Sequence, residues 1–267
     1  MSHPFFDLKR PIVIGHRGCA GEAPENTLAS FERGRAAGAA VLESDVHLTR
    51  DGIPVLIHDD EVNRCTDATG RVADYDLADL QKLDAGYRFT TDGGQSFPER
   101  GRGHRIPSLH EVLRTFPDAR LNLELKEDLP GLIERTLEVV ADAGRAETCL
   151  LTTADDAMMR VLRSEVAQQG VPVALGACTA EVAGFAVSAV HGRRPPEGPM
   201  ALQIPMEFAG QPLVTRELIG FAHAHGVQVH VWTIDDPEEM AALLDLDVDG
   251  IVTDFPARMV RLLEQRP

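Results

Sequence analysis

Short apolar runs alternate with longer runs of helical spacing along this chain, and the pattern repeats eight times. The apolar runs begin at Ile12, Val41, Leu121, Cys149, Val173, Ala201, Val227 and Gly250. Strands joined through helices lie parallel, because each helix carries the chain back along the sheet before the next strand starts. Eight such units are the number that closes a parallel barrel, and about 250 residues is the usual length for one. The chain has 267. We therefore expect one α/β domain over residues 1–267, a (β/α)8 barrel.

The second unit departs from the rule. Asp51 and Gly52 form a turn signal, so residues 54–57 should double back on the second strand as a hairpin. Residues 60–105, rich in glycine, aspartate and threonine, read as an insertion after that strand, with a short helical piece at residues 77–83. Regular order resumes at Ser108, an N-cap with Glu111 three residues on to complete a capping box.

Faces decide where chemistry can occur. In residues 121–126, Leu121, Leu123 and Leu125 share one side of a strand, while Asn122, Glu124 and Lys126 share the other. In residues 41–48, Glu43, Asp45 and His47 alternate with a largely apolar set. Any sheet with one wet face shows such alternation. In a barrel, however, helices cover the outside, so the leucines face outward and the charges point into the interior. Buried carboxylates are costly alone and need each other, Lys126 or a cation. Glu43, Asp45 and Glu124, from neighbouring strands, would make a hard oxygen site suited to one divalent cation, Mg²⁺ or Ca²⁺. A salt-bridge cluster without an ion is the structural alternative.

His16 and His58 each end a β-run, which places both at the C-terminal rim where barrel enzymes work. Two imidazoles there can divide acid and base roles. The remaining histidines, among them His47, His223 and His230, are read as structural or surface residues without a matched partner. Trp232 is either interior packing or part of the substrate site, as a wall for glycerol or a π face for a choline-like head group, with Gln203, Met206 and Phe208 as weaker candidates for that wall. Thr253 and Asp254 should hydrogen-bond the loop of His16.

Charge limits the partners. With 26 basic and 42 acidic residues the formal charge is -16, which argues against a nucleic acid or an anionic membrane surface. An anionic substrate would have to be drawn in by local positive groups. The four scattered cysteines show no metal-binding spacing and suit a reducing compartment. No run approaches membrane-spanning length, so no stable membrane anchor and a cytoplasmic location are expected.

Several fragments together resemble the glycerophosphodiester phosphodiesterase family: His16-Arg17-Gly18, Pro24-Glu25-Asn26-Thr27, Glu43-x-Asp45, His58-Asp59, Glu124-x-Lys126, Val231-Trp232-Thr233 and residues 249–254. The likeness runs from His16 to Pro256 and is weakest over residues 178–210. It implies a TIM barrel and metal-dependent hydrolysis of a small-molecule glycerophosphodiester to glycerol 3-phosphate and an alcohol. By the resemblance, Glu43, Asp45 and Glu124 bind the metal, His16 and His58 are the catalytic acid and base, and Arg17 and Lys126 contact phosphate. Glu25 lies in a family motif as ligand or orienting group, and Asn26 beside it is a second supporting residue. A cyclic phosphate formed by the glycerol 2-hydroxyl is the expected route. Two rival readings use the same barrel. A lysophospholipase D-type enzyme should show a membrane anchor or an exposed apolar rim, and a non-catalytic glycerophosphodiester-binding protein should lack a histidine or carboxylate. The preferred alcohol, which of His16 and His58 is acid and which base, and the oligomeric state are left open.

Overall fold

The computed structural model describes residues 3–266. Its strands, in chain order, are β1 (Ile12–Gly15), β2 (Val41–Leu48), β3 (Pro54–Leu56), β4 (Arg120–Leu125), β5 (Cys149–Thr152), β6 (Ala174–Leu175), β7 (Ala201–Ile204), β8 (Glu207–Phe208), β9 (Gln211–Pro212), β10 (Gln228–Val231) and β11 (Gly250–Thr253). Eight of them pair in parallel in the order β6-β5-β4-β2-β1-β11-β10-β7. The two end strands approach each other, and the Met200 N–H donates to the Leu175 carbonyl at 2.9 Å across the seam. The result is a nearly closed (β/α)8 barrel, as the eightfold alternation predicts.

One helix follows each parallel strand: α1 (Leu28–Ala36), then, beyond the short α2 (Leu77–Leu80), α3 (Leu109–Thr115), α4 (Leu132–Asp142), α5 (Asp156–Gln169), α6 (Thr179–His191), α7 (Arg216–Ala224), α8 (Pro237–Asp245) and α9 (Pro256–Gln265). Side-chain caps start many of them. Thr27, Ser108, Asp155, Thr215 and Asp236 each accept from a backbone N–H in the first turn. The expected capping box at Ser108 is only half made. Ser108 accepts from the Glu111 N–H, but the Glu111 carboxylate turns away to Arg105 and Gln81.

The alternation of faces separates an outer apolar layer, in two clusters, from an inner one. Leu121, Leu123 and Leu125 pack outward with Leu42 and Val46 against the helices. Inside the barrel, Ile12, Ile14, Val41, Leu150, Ala174, Ala201 and Val252 fill the N-terminal end, closed by Phe5 and Phe6 from the 3-10 turn Pro4–Phe6. The cleft that remains lies at the C-terminal end of the barrel.

β3 pairs antiparallel with β2, Val46 opposite Leu56, which is the expected hairpin. The insertion that follows has its own small core of Val55, Ile57, Val62, Val72, Leu80, Ala85 and Ile106. The helical piece within it is a single turn. The two-stranded β8–β9 ribbon was not expected from sequence; its residues are exposed and carry too few apolar positions for a period to register. Among the described residues, no helix is long and apolar enough to cross a membrane.

Candidate active site

Register places the carboxylates. β2 and β4 pair so that Asp45 lies opposite Glu124, and Glu43 opposite Asn122. With side chains of both strands pointing inward, one oxygen each from Glu43, Asp45 and Glu124 lies within 4.8 Å of the others. Lys126, one step past β4 on the same face, sets its Nζ 3.0 Å from Asp45 Oδ1 and 2.7 Å from Glu124 Oε2. Burial opposes these charges, and mutual attraction decides the outcome. Burial raises Asp45, but Lys126 and Arg17 lower it further, and the net shift is downward. Burial likewise opposes the Lys126 ammonium, but Asp45 and Glu124 hold its pKa above the ordinary value. Glu43 is the exception: burial, then the neighbouring Asp45 charge, push its carboxyl up.

The segment after β1 is bent tightly around this cluster. Arg17 and Asn26 both have left-handed backbone, with φ of 47° and 56°. Gly18 also has positive φ, and a Cβ there would lie 2.5 Å from the Ser30 carbonyl carbon in α1. The bend turns the Arg17 N–H to Glu43 Oε2 at 3.0 Å and the guanidinium to Glu25 at 2.9 Å, with Nε 3.4 Å from Asp45 Oδ2. Asn26, buried, donates from Nδ2 to Asp45 Oδ2 at 3.0 Å and accepts from Ser44 Oγ at 2.6 Å. Its backbone strain thus serves to fix one carboxylate.

Both rim histidines are anchored through Nδ1. His16 donates to Asp254 Oδ1 at 2.7 Å, and its Nε2 lies 4.0 Å from Glu43 Oε2. Asp254 is itself held, its N–H donating to Asp235 Oδ1 at 2.8 Å. Burial works against a charged His16, yet the Asp254 hydrogen bond and the Glu43 charge outweigh it, and its pKa is raised. His58 donates to Asp59 Oδ1 at 2.6 Å. Arg64 forks across Asp59 and Glu25, at 2.6 Å from Asp59 Oδ2 and at 2.6 and 2.7 Å from the two Glu25 oxygens. Against the cost of burial, Arg64 and then His58 bring the Asp59 carboxyl down to about 2. One chain of contacts therefore runs His58–Asp59–Arg64–Glu25–Arg17–Asp45.

All ten residues singled out from sequence lie at or beside one cleft of about 300 Å³ at the C-terminal end of the barrel. His16, Arg17, Glu43, Asp45, His58, Glu124, Lys126 and Trp232 line it, while Glu25 and Asn26 bind its walls from behind. Trp232 is 44% exposed at the rim, which excludes interior packing. Gln203 also lines the cleft. Met206 and Phe208 do not; they stand exposed beyond β7.

His47 does not fit the unpartnered role assigned from sequence. It is buried, its Nε2 donates to the His58 carbonyl at 3.0 Å, and Nδ1 lies 3.4 Å from Glu127 Oε2. Its alternation with Glu43 and Asp45 was the signal that it faces inward. His223 also has a partner, buried Asp249 at 2.7 Å on the far end of the barrel. Arg64 lies in the insertion at residues 60–105 and is not among the residues singled out from sequence; its contacts span 39 residues to Glu25, and nothing local announces them.

The model of the glycerophosphoryl diester phosphodiesterase family matches residues 16–258. The chain belongs to this family. It is thereby an enzyme of the phosphoric diester hydrolase class. A glycerophosphodiester phosphodiesterase of Caldanaerobacter subterraneus subsp. tengcongensis is 29% identical over 265 residues, covering 96% of this chain and 99% of the relative. The glycerophosphoryl diester phosphodiesterase domain of a Mycobacterium tuberculosis protein superposes with a TM-score of 0.83 at 19% identity, covering 97% of this chain and 100% of that one. That match shows the fold. An Oleispira antarctica phosphodiesterase, solved with the product sn-glycerol-3-phosphate, is 26% identical with a TM-score of 0.72, covering 96% of this chain and 97% of its own.

Proposed function

We propose that the chain hydrolyses glycerophosphodiesters to glycerol 3-phosphate and an alcohol, with His16 and His58 moving the protons. The observation that carries this reading is the pair of histidines, each tied through Nδ1 to a carboxylate, facing one cleft beside three converging carboxylates. Anchoring Nδ1–H leaves Nε2 as the atom available to substrate.

The donor set fits one divalent cation, Mg²⁺ or Ca²⁺. Three hard oxygens converge without thiol or imidazole, and Glu43 is short of positive charge as it stands. Glu43, Asp45 and Glu124 would hold the ion, which when bound supplies polarisation of phosphate and of a substrate hydroxyl. Glu25, engaged by Arg17 and Arg64, is an orienting group on this reading, as is Asn26. Arg17 and Lys126 bind phosphate oxygens. The glycerol 2-hydroxyl attacks the phosphorus beside it, an intramolecular step that gives a cyclic phosphate. His58 takes the hydroxyl proton, and His16, held through Nδ1 by Asp254, gives one to the leaving alkoxide. Water then opens the ring with the roles reversed.

The insertion at residues 60–105 belongs to the same catalytic domain on this reading, since Arg64 within it binds Glu25. A small-molecule substrate and a cytoplasmic setting accord with the negative charge and the four free cysteines. One observation favours a second reading, cleavage of a diester that still carries an acyl chain: Met206, Phe208 and Trp232 are exposed apolar side chains at or just beyond the open end of the barrel, 36%, 61% and 44% accessible.

The experiment is release of glycerol 3-phosphate from several glycerophosphodiesters, with chelator and then with Mg²⁺ or Ca²⁺ restored. We expect release only with metal, abolition in Glu43→Gln, and a loss of roughly a hundredfold or more in His16→Ala and His58→Ala. Near-normal turnover in either folded histidine variant would remove it from the chemistry. Preference for an acyl-bearing diester would select the second reading.

A further inference from the structure

The cleft has two chemically different halves. The ends of β1, β2 and β4 and the loop after β3 contribute every charged or imidazole group in its lining. Across from them, β5, β6, β7 and β10 and the residues just beyond them present Thr152, Ala177, Gln203 and Trp232, with no formal charge. Phosphate recognition must fall in the first half. Whatever is esterified to the phosphate reaches the second.

That half contains hydrogen-bonding capacity the protein does not use. Among the described residues, Gln203 Oε1 is buried without a partner, and so is the Oδ1 of Asn122, a residue only 4% exposed that lies on β4 where the two halves meet. Buried carboxamides are rarely left unpaired in native structures, because the lost water contacts are not replaced. Space is reserved as well. A Cβ at residue 176 would lie 2.6 Å from Thr152 Oγ1 and 3.1 Å from Gln203 Oε1, so Gly176 keeps open the gap that these two groups face.

We propose that this neutral corner is a subsite for an uncharged polyol, the alcohol released from the phosphate. The inference rests on the hydrolase reading above and adds the class of leaving group. A hydroxyl both donates and accepts, which matches a carboxamide and a threonine hydroxyl. A trimethylammonium group offers no donor and would leave both carboxamide oxygens unpaired. A primary ammonium would find no carboxylate in the lining of this half. Discrimination of this kind is steep, because an analogue without the hydroxyl strands the polar groups of the site.

The test compares hydrolysis of glycerophosphoglycerol and glycerophosphocholine by the metal-loaded wild type and by Gln203→Leu, with melting curves to confirm folding. We expect the polyol diester to be favoured by about tenfold or more in kcat/KM, chiefly through KM, and the ratio to fall to within about twofold in Gln203→Leu. Should that variant misfold, Gly176→Ala closes the same corner and should reduce the ratio likewise. A wild type that uses the choline diester equally well, or a folded variant with an unchanged ratio, overturns the proposal. Hydrolysis of neither diester refutes the hydrolase reading instead. Calorimetric titration then decides the subsite: tighter binding of glycerophosphoglycerol upholds it, and equal binding overturns it.

Discussion

Replacing Arg64 by alanine tests whether the carboxylate chain behind His58 positions the imidazole. Arg64 makes four charge-assisted hydrogen bonds, two to Glu25 at 2.6 and 2.7 Å and two to Asp59 at 2.6 and 3.1 Å. In a dry interior, losing such a set would cost several kcal/mol. The Arg64 side chain is 45% exposed, however, so solvent screens the contacts and water can replace them. The stability loss should be roughly 1 kcal/mol. The rate should suffer more. Asp59 would lose the group that fixes it opposite His58 Nδ1, and Glu25 the group that shares it with Arg17. A displacement of about 1 Å at a reacting group costs about a hundredfold, so kcat should fall by roughly ten- to a hundredfold with KM little changed. Arg64→Lys should recover only part, because one ammonium cannot fork across two carboxylates. The assay is glycerol 3-phosphate release beside a thermal melt. A folded Arg64→Ala with kcat within about twofold of wild type would refute the positioning argument.

Two further outcomes concern stability. His230 is wholly enclosed in the barrel, and burial, opposed only by Asp249, brings its pKa down to about 4. Between about pH 6.5 and 4 the unfolded chain binds a proton at His230 that the folded chain does not, so the contribution of His230 to stability falls as pH falls, by about 3 kcal/mol in all, and that contribution levels below pH 4. Denaturant melts at pH 7 and pH 4.5 should show a smaller drop for His230→Leu than for wild type; equal drops would clear His230 of the effect. Arg145, 8% exposed, donates to the carbonyls of Leu113, Phe116 and Ala119 and to Thr148 Oγ1. Arg145→Ala should leave those acceptors stranded and cost about 3 kcal/mol, read as a lower denaturant midpoint; a loss below about 1 kcal/mol would mean that water replaces the guanidinium.

The parts of this molecule that sequence reveals are those governed by local period. Leu121, Leu123 and Leu125 announce an outward face, and Glu124 must then point inward; the same rule applied to Glu43 and Asp45 brings the three carboxylates together. His16 and His58 are legible because strand ends in a barrel share one rim. What escapes the period is set by loop closure. Arg64 lies in an insertion without regular spacing, and its partnership with Glu25 exists only because the β1–α1 and β3 loops meet above the barrel. His47 was visible by phase but dismissed for want of a partner; that partner is a backbone carbonyl, which no side-chain pattern reveals. The half-made capping box has the same cause, since Glu111 is drawn to Arg105.

Charge balance links these details to the chemistry. Glu25, Glu43, Asp45, Asp59, Glu124 and Asp254 surround the cleft, against the fixed cations Arg17, Arg64 and Lys126. Asp59 and Glu25 are held down by Arg64 and Arg17, and Asp45 by Lys126, so those pairs are closed. Glu43 receives a backbone N–H from Arg17 and the distant charges of His16 and Arg17, and its carboxyl rises. The deficit thus falls on Glu43, a buried carboxylate with little solvent to relieve it. A phosphodiester would add a further negative charge on a chain already at -16. On the proposed reading, Arg17 and Lys126 at the phosphate could not offset both terms while also pairing with Asp45 and Glu124. A divalent cation held among Glu43, Asp45 and Glu124, as proposed above, would remove the deficit and free Lys126 for the substrate, so that on this reading ion and substrate bind to one electrostatic unit.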